Sequence, residues 1–165
     1  MSVAPTARAQ RPFGPTLAAL IGYAAGMGWL EAVVVVYIRA VIGLAHAQAM
    51  PDEAGVMERF RSLPWLMPTE QGREAATLVM LAAVGWLAAR SWRGRLGAFL
   101  TCFGIWDITY YLGLHALIGW PRTLADRDVL FLIPPSSLWN QPVWVPVLVS
   151  CGMIAGGITL QARAR

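Results

Sequence analysis

Residues 104–115 read GIWDITYYLGLH, a stretch apolar enough for a membrane that nevertheless carries a carboxylate, two phenols and an imidazole. At helical spacing Asp107, Tyr111 and His115 follow one another every four residues, so a helix places them on one face. An ionised carboxylate in the middle of a membrane helix costs about 2.5–3.5 kcal/mol on insertion scales. The stretch therefore predicts a membrane helix whose polar face meets partners on other helices.

The composition points to a membrane protein. The chain has 165 residues, of which 57% are hydrophobic and 13% are charged, whereas soluble domains are about 45–50% apolar and about 25% charged. Every basic residue apart from the two histidines is an arginine, and most of the arginines are spread over the chain ends and loops. No single basic patch results, so no nucleic-acid partner is predicted.

Four apolar segments are long enough to cross a bilayer, which takes about 20 helical residues. The fold predicted is an all-α polytopic membrane protein with one domain over residues 14–162, preceded by a disordered cytoplasmic tail over residues 1–13. A short amphipathic interfacial helix is expected in the connection after the first span. The four spans are predicted at about residues 15–45, 70–90, 96–118 and 142–161.

Local signals refine these boundaries. Thr69 is a good N-cap for the second span, and Thr123 with Asp126 resembles a capping box that would start a short helix. The apolar run at 129–133 is too short to span a membrane. It predicts a short interfacial or re-entrant segment before the last helix.

Arginine distribution sets the expected orientation. The N-terminal tail, the loop between the second and third spans and the C-terminal tail hold arginines and no acidic residue. Because arginine-rich segments stay in the cytoplasm, both termini are predicted to be cytoplasmic. The expected location is the bacterial inner membrane, with several passes.

Polar side chains are predicted to gather in the outer half of the bundle. At 1.5 Å per residue, Asp107 lies about 16 Å into the third span and Glu31 about 20 Å into the first. Other polar residues of the spans fall in the same half. The predicted buried polar cluster is Glu31, Tyr37, Arg39, Arg73, Glu74, Asp107, Tyr110, Tyr111 and His115.

Glycine pairs suggest how the inner half closes. Gly22 and Gly26 in the first span, and Gly152 and Gly156 in the fourth, have the small-xxx-small spacing that lets membrane helices approach closely. The sequence therefore predicts a tightly packed inner half, made by these glycines, beneath a polar chamber in the outer half.

The polar cluster admits three interpretations. The first is structural, with arginines neutralising carboxylates and fixing the helix arrangement. The second is a metal site with Glu31, Glu74, Asp107 and His115 as candidate ligands, although no Glu-x-x-His motif of carboxylate-bridged metal bundles occurs. The third is a path for protons or solutes, for which intramembrane carboxylates are typical. No cofactor is identified by the sequence.

Four segments carry a resemblance to known proteins: EAVVVVY at 31–37, REAAT at 73–77, FGIWDI at 103–108 and DVLFLIP at 128–134. They resemble the corresponding segments of small bacterial integral membrane proteins with four spans. That group has no assigned activity, so the resemblance implies the topology and no function.

The function expected from the sequence is that of a non-catalytic accessory or scaffold subunit of a larger bacterial membrane complex, with energy-converting complexes as one class. The soluble parts are too short for a catalytic domain, and the apolar surface offers contact area to the lipid bilayer and to other membrane subunits. The alternative is a small intramembrane metal-dependent enzyme, or a proton or solute transporter, that uses the carboxylates of the outer half.

Overall fold

The computed structural model describes residues 12–44, 53–134 and 136–164. In these ranges the chain is mostly helical. The helices are α1 (Phe13–Val41), α2 (Glu53–Arg61), α3 (Leu66–Ala88), α4 (Trp92–Ile118) and α5 (Trp144–Arg163), with a short antiparallel ribbon of β1 (Arg127–Val129) and β2 (Asn140–Pro142) before α5.

Within the described residues, two helices are long and apolar enough to cross a membrane, namely α1 and α5. The helix α1 begins at Phe13, which was predicted to be the last residue of the N-terminal tail. Residues 1–11 of that tail lie outside the described residues. The predicted first span also extends beyond the helix, which ends at Val41. Residue 45, its predicted end, lies outside the described residues as well.

Two of the local capping predictions are wrong. Thr69 lies inside α3, where its hydroxyl donates to the carbonyl of Trp65 at 2.7 Å. Thr123 and Asp126 do form the expected hydrogen bond, at 2.9 Å, but they make a turn and not a helix. The carbonyl of Asp126 accepts the N–H of Val143 at 2.9 Å, so it ties the turn to the start of α5.

The long helices pack around α4. Cys102 Sγ lies 3.8 Å from the carbonyl oxygen of Leu20, and further along both helices Gly113 lies against Ala32. The helices α1 and α4 therefore run in the same direction. Gly85 of α3 lies against Phe99, while residues earlier in α3 lie beside later parts of α4, so α3 runs antiparallel to α4.

The helix α5 packs antiparallel on another side of α4, through glycine. A Cβ on Gly97 would lie 2.6 Å from the carbonyl oxygen of Gly157, so only glycine fits there. Thr101 donates its hydroxyl to the Gly97 carbonyl at 2.9 Å and accepts Gln161 Nε2 at 2.9 Å. These polar groups of α4 and α5 are thus paired within the contact.

The predicted role of the glycine pairs of the first and last spans in packing the inner half is wrong. A Cβ added to any of Gly22, Gly26, Gly152 or Gly156 would have no neighbouring atom within 4 Å. The buried face of α1 repeats every four residues through Leu20, Ala24, Gly28 and Ala32. Gly22 and Gly26 lie two residues out of phase with that face, which is about 200° around a helix of 3.6 residues per turn.

We call the end of the molecule that holds the start of α1, the α3–α4 turn and the end of α5 the inner end. Near this end, a buried apolar cluster fills the space between the helices. It is formed by Leu20, Ala24, Leu81, Ala98, Cys102 and Trp106. The inner half is therefore packed as expected, but by residues other than the predicted glycines.

The opposite, outer end is covered by α2 and by the segment between α4 and α5. Val56 and Phe60 of α2 are buried against Ile42, Leu44 and Leu66. Gly119, at φ 67°, ends α4 in the left-handed conformation that favours glycine. The chain then turns over the outer end through the β-ribbon.

Candidate functional site

A cavity of about 600 Å³ lies beside α4 in the outer half of the molecule. The helices α3 and α5 both pack on α4 but hardly touch each other, and the cavity occupies the gap between them. Side chains of α1 form its back wall, and the segments 128–132 and 138–141, here called the roof, cover its outer end. Val149, which is 55% exposed, lines its mouth on α5.

One wall of the cavity carries an ion triad that joins α1 to α3. Arg73 donates from Nε to Glu70 Oε2 at 2.7 Å, and its Nη1 pairs with Glu31 across the two helices. The side chains of Glu31 and Glu70 are only 12% and 7% exposed. Such buried charges are costly unless they are paired, and this arginine bridges both of them.

The roof is anchored to α3 by its backbone. Both carboxylate oxygens of Glu74 accept the N–H of Leu132, at 2.9 and 3.1 Å. Gln71 donates from Nε2 to the Leu132 carbonyl at 3.2 Å. One turn of α3 thus holds the N–H and the carbonyl of a single roof residue.

Asp128 ties the roof to α4. It is 4% exposed and accepts the hydroxyl of Tyr111 at 3.1 Å and the N–H of Val129 at 3.0 Å. Burial raises the pKa of Asp128 to about 7, although both hydrogen bonds and the positive charge of Arg39 act in the opposite direction. The Arg39 guanidinium lies 4.8 Å from the ring centre of Trp120, over its face.

Asp107 is the carboxylate of the central helix. Its Oδ2 accepts the hydroxyl of Ser150 on α5 at 2.8 Å. Asp107 forms no ion pair with any arginine in the parts of the chain that the structure describes. It therefore differs from Glu31 and Glu70, which share Arg73.

Aromatic rings form much of the remaining wall. Phe103 contacts Trp106 with ring centres 5.2 Å apart and Phe131 with ring centres 6.4 Å apart. Phe131 also meets Trp139 edge to face at 5.3 Å. These contacts link α4 to the roof, so the rings give the cavity an apolar surface beside its carboxylates.

The structure brings most of the predicted polar cluster to this cavity but leaves out two members. Tyr37 is 65% exposed on the outside of α1. His115 has its Nδ1 2.8 Å from the carbonyl oxygen of Pro121 and does not line the cavity. The members that line it are Glu31, Arg39, Arg73, Glu74, Asp107, Tyr110 and Tyr111.

Several polar residues of the cavity were not expected from the sequence. Asp128 and Gln141 belong to the roof, whose position depends on how the loop folds back and not on helical spacing. Ser150 sits in an apolar helix, where a lone serine gives no signal. Glu70 could have been found, because it precedes Arg73 by three residues and thus shares its helix face.

The candidate metal ligands are not gathered into a metal site. Glu31 pairs with Arg73, and Asp107 pairs with Ser150. Glu74 and His115 are held by backbone groups of Leu132 and Pro121. Within the described ranges no group of three or more His, Cys, Asp or Glu side chains could hold a metal ion.

The geometry is that of a preformed amphipathic chamber. Its volume falls in the range of about 300–1,000 Å³ that small-molecule sites occupy, and such sites combine apolar walls with a few placed polar groups. The arrangement can therefore enclose a small molecule between aromatic rings and carboxylates. No protein-family model, curated protein or solved structure matches this chain.

Proposed function

We propose that this chain is an integral protein of the bacterial inner membrane that crosses the bilayer four times, through α1, α3, α4 and α5. These helices have 29, 23, 27 and 20 residues, and about 20 residues cover the roughly 30 Å of hydrocarbon. Large apolar side chains on the outer surface of α3 and α4 support the proposal. The exposed ones include Val79, Met80, Trp86, Leu87, Trp92, Leu96, Leu112 and Leu117.

The proposed orientation puts both termini in the cytoplasm. The inner end carries exposed arginines at Arg90, Arg93 and Arg163, and the sequence holds no acidic residue from 75 to 106. Acidic side chains such as Glu58 and Asp126 belong to the opposite end. This asymmetry follows the positive-inside rule.

Within this topology the proposed function is non-catalytic binding of a small membrane-soluble molecule. The observation that carries the proposal is the preformed cavity of about 600 Å³ in the outer half. Its mouth lies between α3 and α5, beside Leu78, Val149 and Met153, where the surrounding medium would be lipid. A molecule dissolved in the bilayer could enter there without crossing the protein.

The pairing of the cavity's carboxylates other than Asp107 with groups of the chain favours binding over catalysis. Glu31, Glu70, Glu74 and Asp128 already interact with groups of this chain, so none is presented as a free acid, base or metal ligand. Transport, the other alternative, would require the buried cluster at Leu81 and Cys102 to open toward the inner end.

The test is native mass spectrometry of the protein released from its own membrane. We expect a bound small molecule to be retained by the unmodified chain and lost from Val149→Trp, which fills the mouth of the cavity. Leu148→Trp is the matched control, because Leu148 is 65% exposed on the same helix and does not line the cavity. Absence of any bound molecule, or equal retention by both variants, would contradict the proposal.

A second candidate function is that of an accessory subunit in a larger membrane complex. Gly22, Gly26, Gly152 and Gly156 are exposed on α1 and α5 with no other helix beside them. Small-xxx-small pairs of this kind favour close helix association in lipid, so they support a contact with another subunit.

Native co-purification tests this candidate. A tag on the C-terminus, with gentle solubilisation from the source membrane, should bring down a partner in constant proportion. Gly156→Leu should weaken that association without unfolding the protein. Recovery of the chain alone under conditions that preserve known membrane complexes would count against the accessory function.

A further inference from the structure

The walls of the cavity hold more negative than positive groups. Its lining includes two guanidiniums, Arg39 and Arg73. Arg73 is engaged by two carboxylates of the ion triad, and Arg39 faces Asp128 and Trp120. The lining carboxylates are Glu31, Glu70, Glu74, Asp107 and Asp128. Even after these pairings, the cavity keeps an excess of carboxylates.

Among the five carboxylates, Asp107 has neither an arginine partner nor hydrogen bonds on both of its oxygens within the described residues. Glu74 uses both oxygens to accept a backbone N–H, whereas Asp107 accepts a hydroxyl on Oδ2. Its Oδ1 receives no hydrogen bond from the described part of the chain, and Asp107 is only partly buried where it lines the cavity. A carboxylate at this depth is stabilised by a cation beside it.

The walls around Asp107 suit an organic cation. Phe103, Trp106 and Tyr110 lie on the same helix within four residues of it. Phe131 of the roof contacts Phe103, and Trp139 packs on Phe131. The faces of aromatic rings attract cations, most strongly where water is excluded. Ring faces and a carboxylate together therefore suit a ligand that carries a positive charge on an apolar body.

We propose that the cavity binds a lipophilic organic cation, whose positive centre pairs with Asp107 and whose apolar body lies against the aromatic wall. This inference rests on the proposed function, because it assumes that the cavity takes a small molecule from the bilayer. It adds the chemical class of that molecule and the residue that selects it.

The experiment compares two probes of the same shape and opposite charge, tetraphenylphosphonium and tetraphenylborate, on the full chain in lipid nanodiscs. Binding is measured by titration calorimetry, with the signal of empty nanodiscs subtracted. We expect saturable binding of the phosphonium and weaker binding of the borate. This comparison uses the unmodified protein, so it does not depend on the folding of any variant.

Asp107→Asn keeps the size of the side chain and removes its charge. We expect this variant to bind the phosphonium at least about tenfold more weakly, as for removal of one partner of a buried charge pair. Glu58→Gln is the matched control, since Glu58 is exposed on α2 and does not line the cavity. It should bind like the unmodified chain.

The outcomes separate this inference from the proposed function. Equal binding of both probes would overturn the assignment of a cation, and unchanged phosphonium binding by Asp107→Asn would overturn the assignment of Asp107 as its partner. The cavity proposal would survive that result if Val149→Trp still abolished retention of a native molecule. Failure of both probes, together with equal retention by Val149→Trp and Leu148→Trp, would overturn both proposals.

Discussion

Asp128, a β1 residue of the roof, is a buried carboxylate. Its carboxylate accepts the hydroxyl of Tyr111 on α4 at 3.1 Å, and this contact joins the roof to α4. Arg39, Tyr110 and Asp107 also act on it electrostatically from α1 and α4. Removing this side chain from water favours its protonated form, and that preference links the stability of the fold to pH.

We predict that a step in stability between about pH 4 and pH 7 depends on Asp128. Its pKa rises from 3.8 to about 7 on folding. The folded state therefore holds this proton more tightly than the unfolded state does, and the stabilisation present below pH 4 is lost as the pH rises through 7. Thermal unfolding of Asp128→Asn in detergent should show a smaller decrease of Tm across this range than unfolding of the unmodified chain.

Asp126→Asn is the control for this measurement. Desolvation acts to raise the pKa of Asp126, but the N–H of Arg122 and the hydroxyl of Thr123 outweigh it and hold the pKa below its ordinary value. Asp126 is thus ionised in both states above pH 5, and its removal should leave the slope unchanged. An Asp128→Asn protein with an undiminished pH dependence would contradict the prediction.

The sequence predicted most of the polar side chains of the helices that line the cavity, but it predicted none of those in the roof. Asp107 and Tyr111 share a helix face by spacing alone, and both line the cavity. His115 continues the same spacing, yet its ring is held by the Pro121 carbonyl beyond the end of α4. Asp128 gave no periodic signal, because the fold of the roof depends on contacts between distant residues.

At the scale of the elements, the helices were predictable and their rotation about their own axes was not. A helix in water buries its apolar face, so the pattern of polar residues marks the buried side. A helix in lipid meets apolar surroundings on both sides, which removes that signal. Gly-x-x-x-Gly spacing alone therefore did not distinguish the exposed face of Gly22 and Gly26 from the buried face of Gly28.

We predict that two neighbouring glycines of α5 respond differently to the same substitution. Gly157→Leu should destabilise the protein by at least about 1–3 kcal/mol, because a Cβ there would lie 2.5 Å from Thr101 Oγ1 and 2.6 Å from the Gly97 carbonyl. A Cβ at position 156 has no atom within 4 Å, so Gly156→Leu should leave Tm in detergent nearly unchanged. Equal Tm values for the two variants would contradict the packing of α4 on α5.

At the scale of the whole molecule, the described residues form an inner half that is packed and an outer half that contains a cavity. The inner half is closed by apolar packing around Leu81 and Cys102, and the outer half is opened by the gap between α3 and α5. Composition predicted long apolar helices, of which α1 and α5 are long and apolar enough to cross a membrane, and helical depth predicted a polar outer half. They could not predict the cavity itself, because its volume depends on which helices fail to touch.

The last prediction concerns the orientation of the four proposed spans. In a Cys151→Ser background, where Cys102 is fully buried, single cysteines are placed at Leu124 and Arg93, exposed at the outer and inner ends. A membrane-impermeant maleimide added to intact spheroplasts should label Leu124→Cys and leave Arg93→Cys unlabelled until the membrane is permeabilised. Because α1 and α4 run parallel and α3 and α5 run against them, a single bilayer crossing all four helices must separate these two sites. Labelling of both sites in intact spheroplasts would contradict four spans, and labelling of Arg93→Cys alone would reverse the orientation.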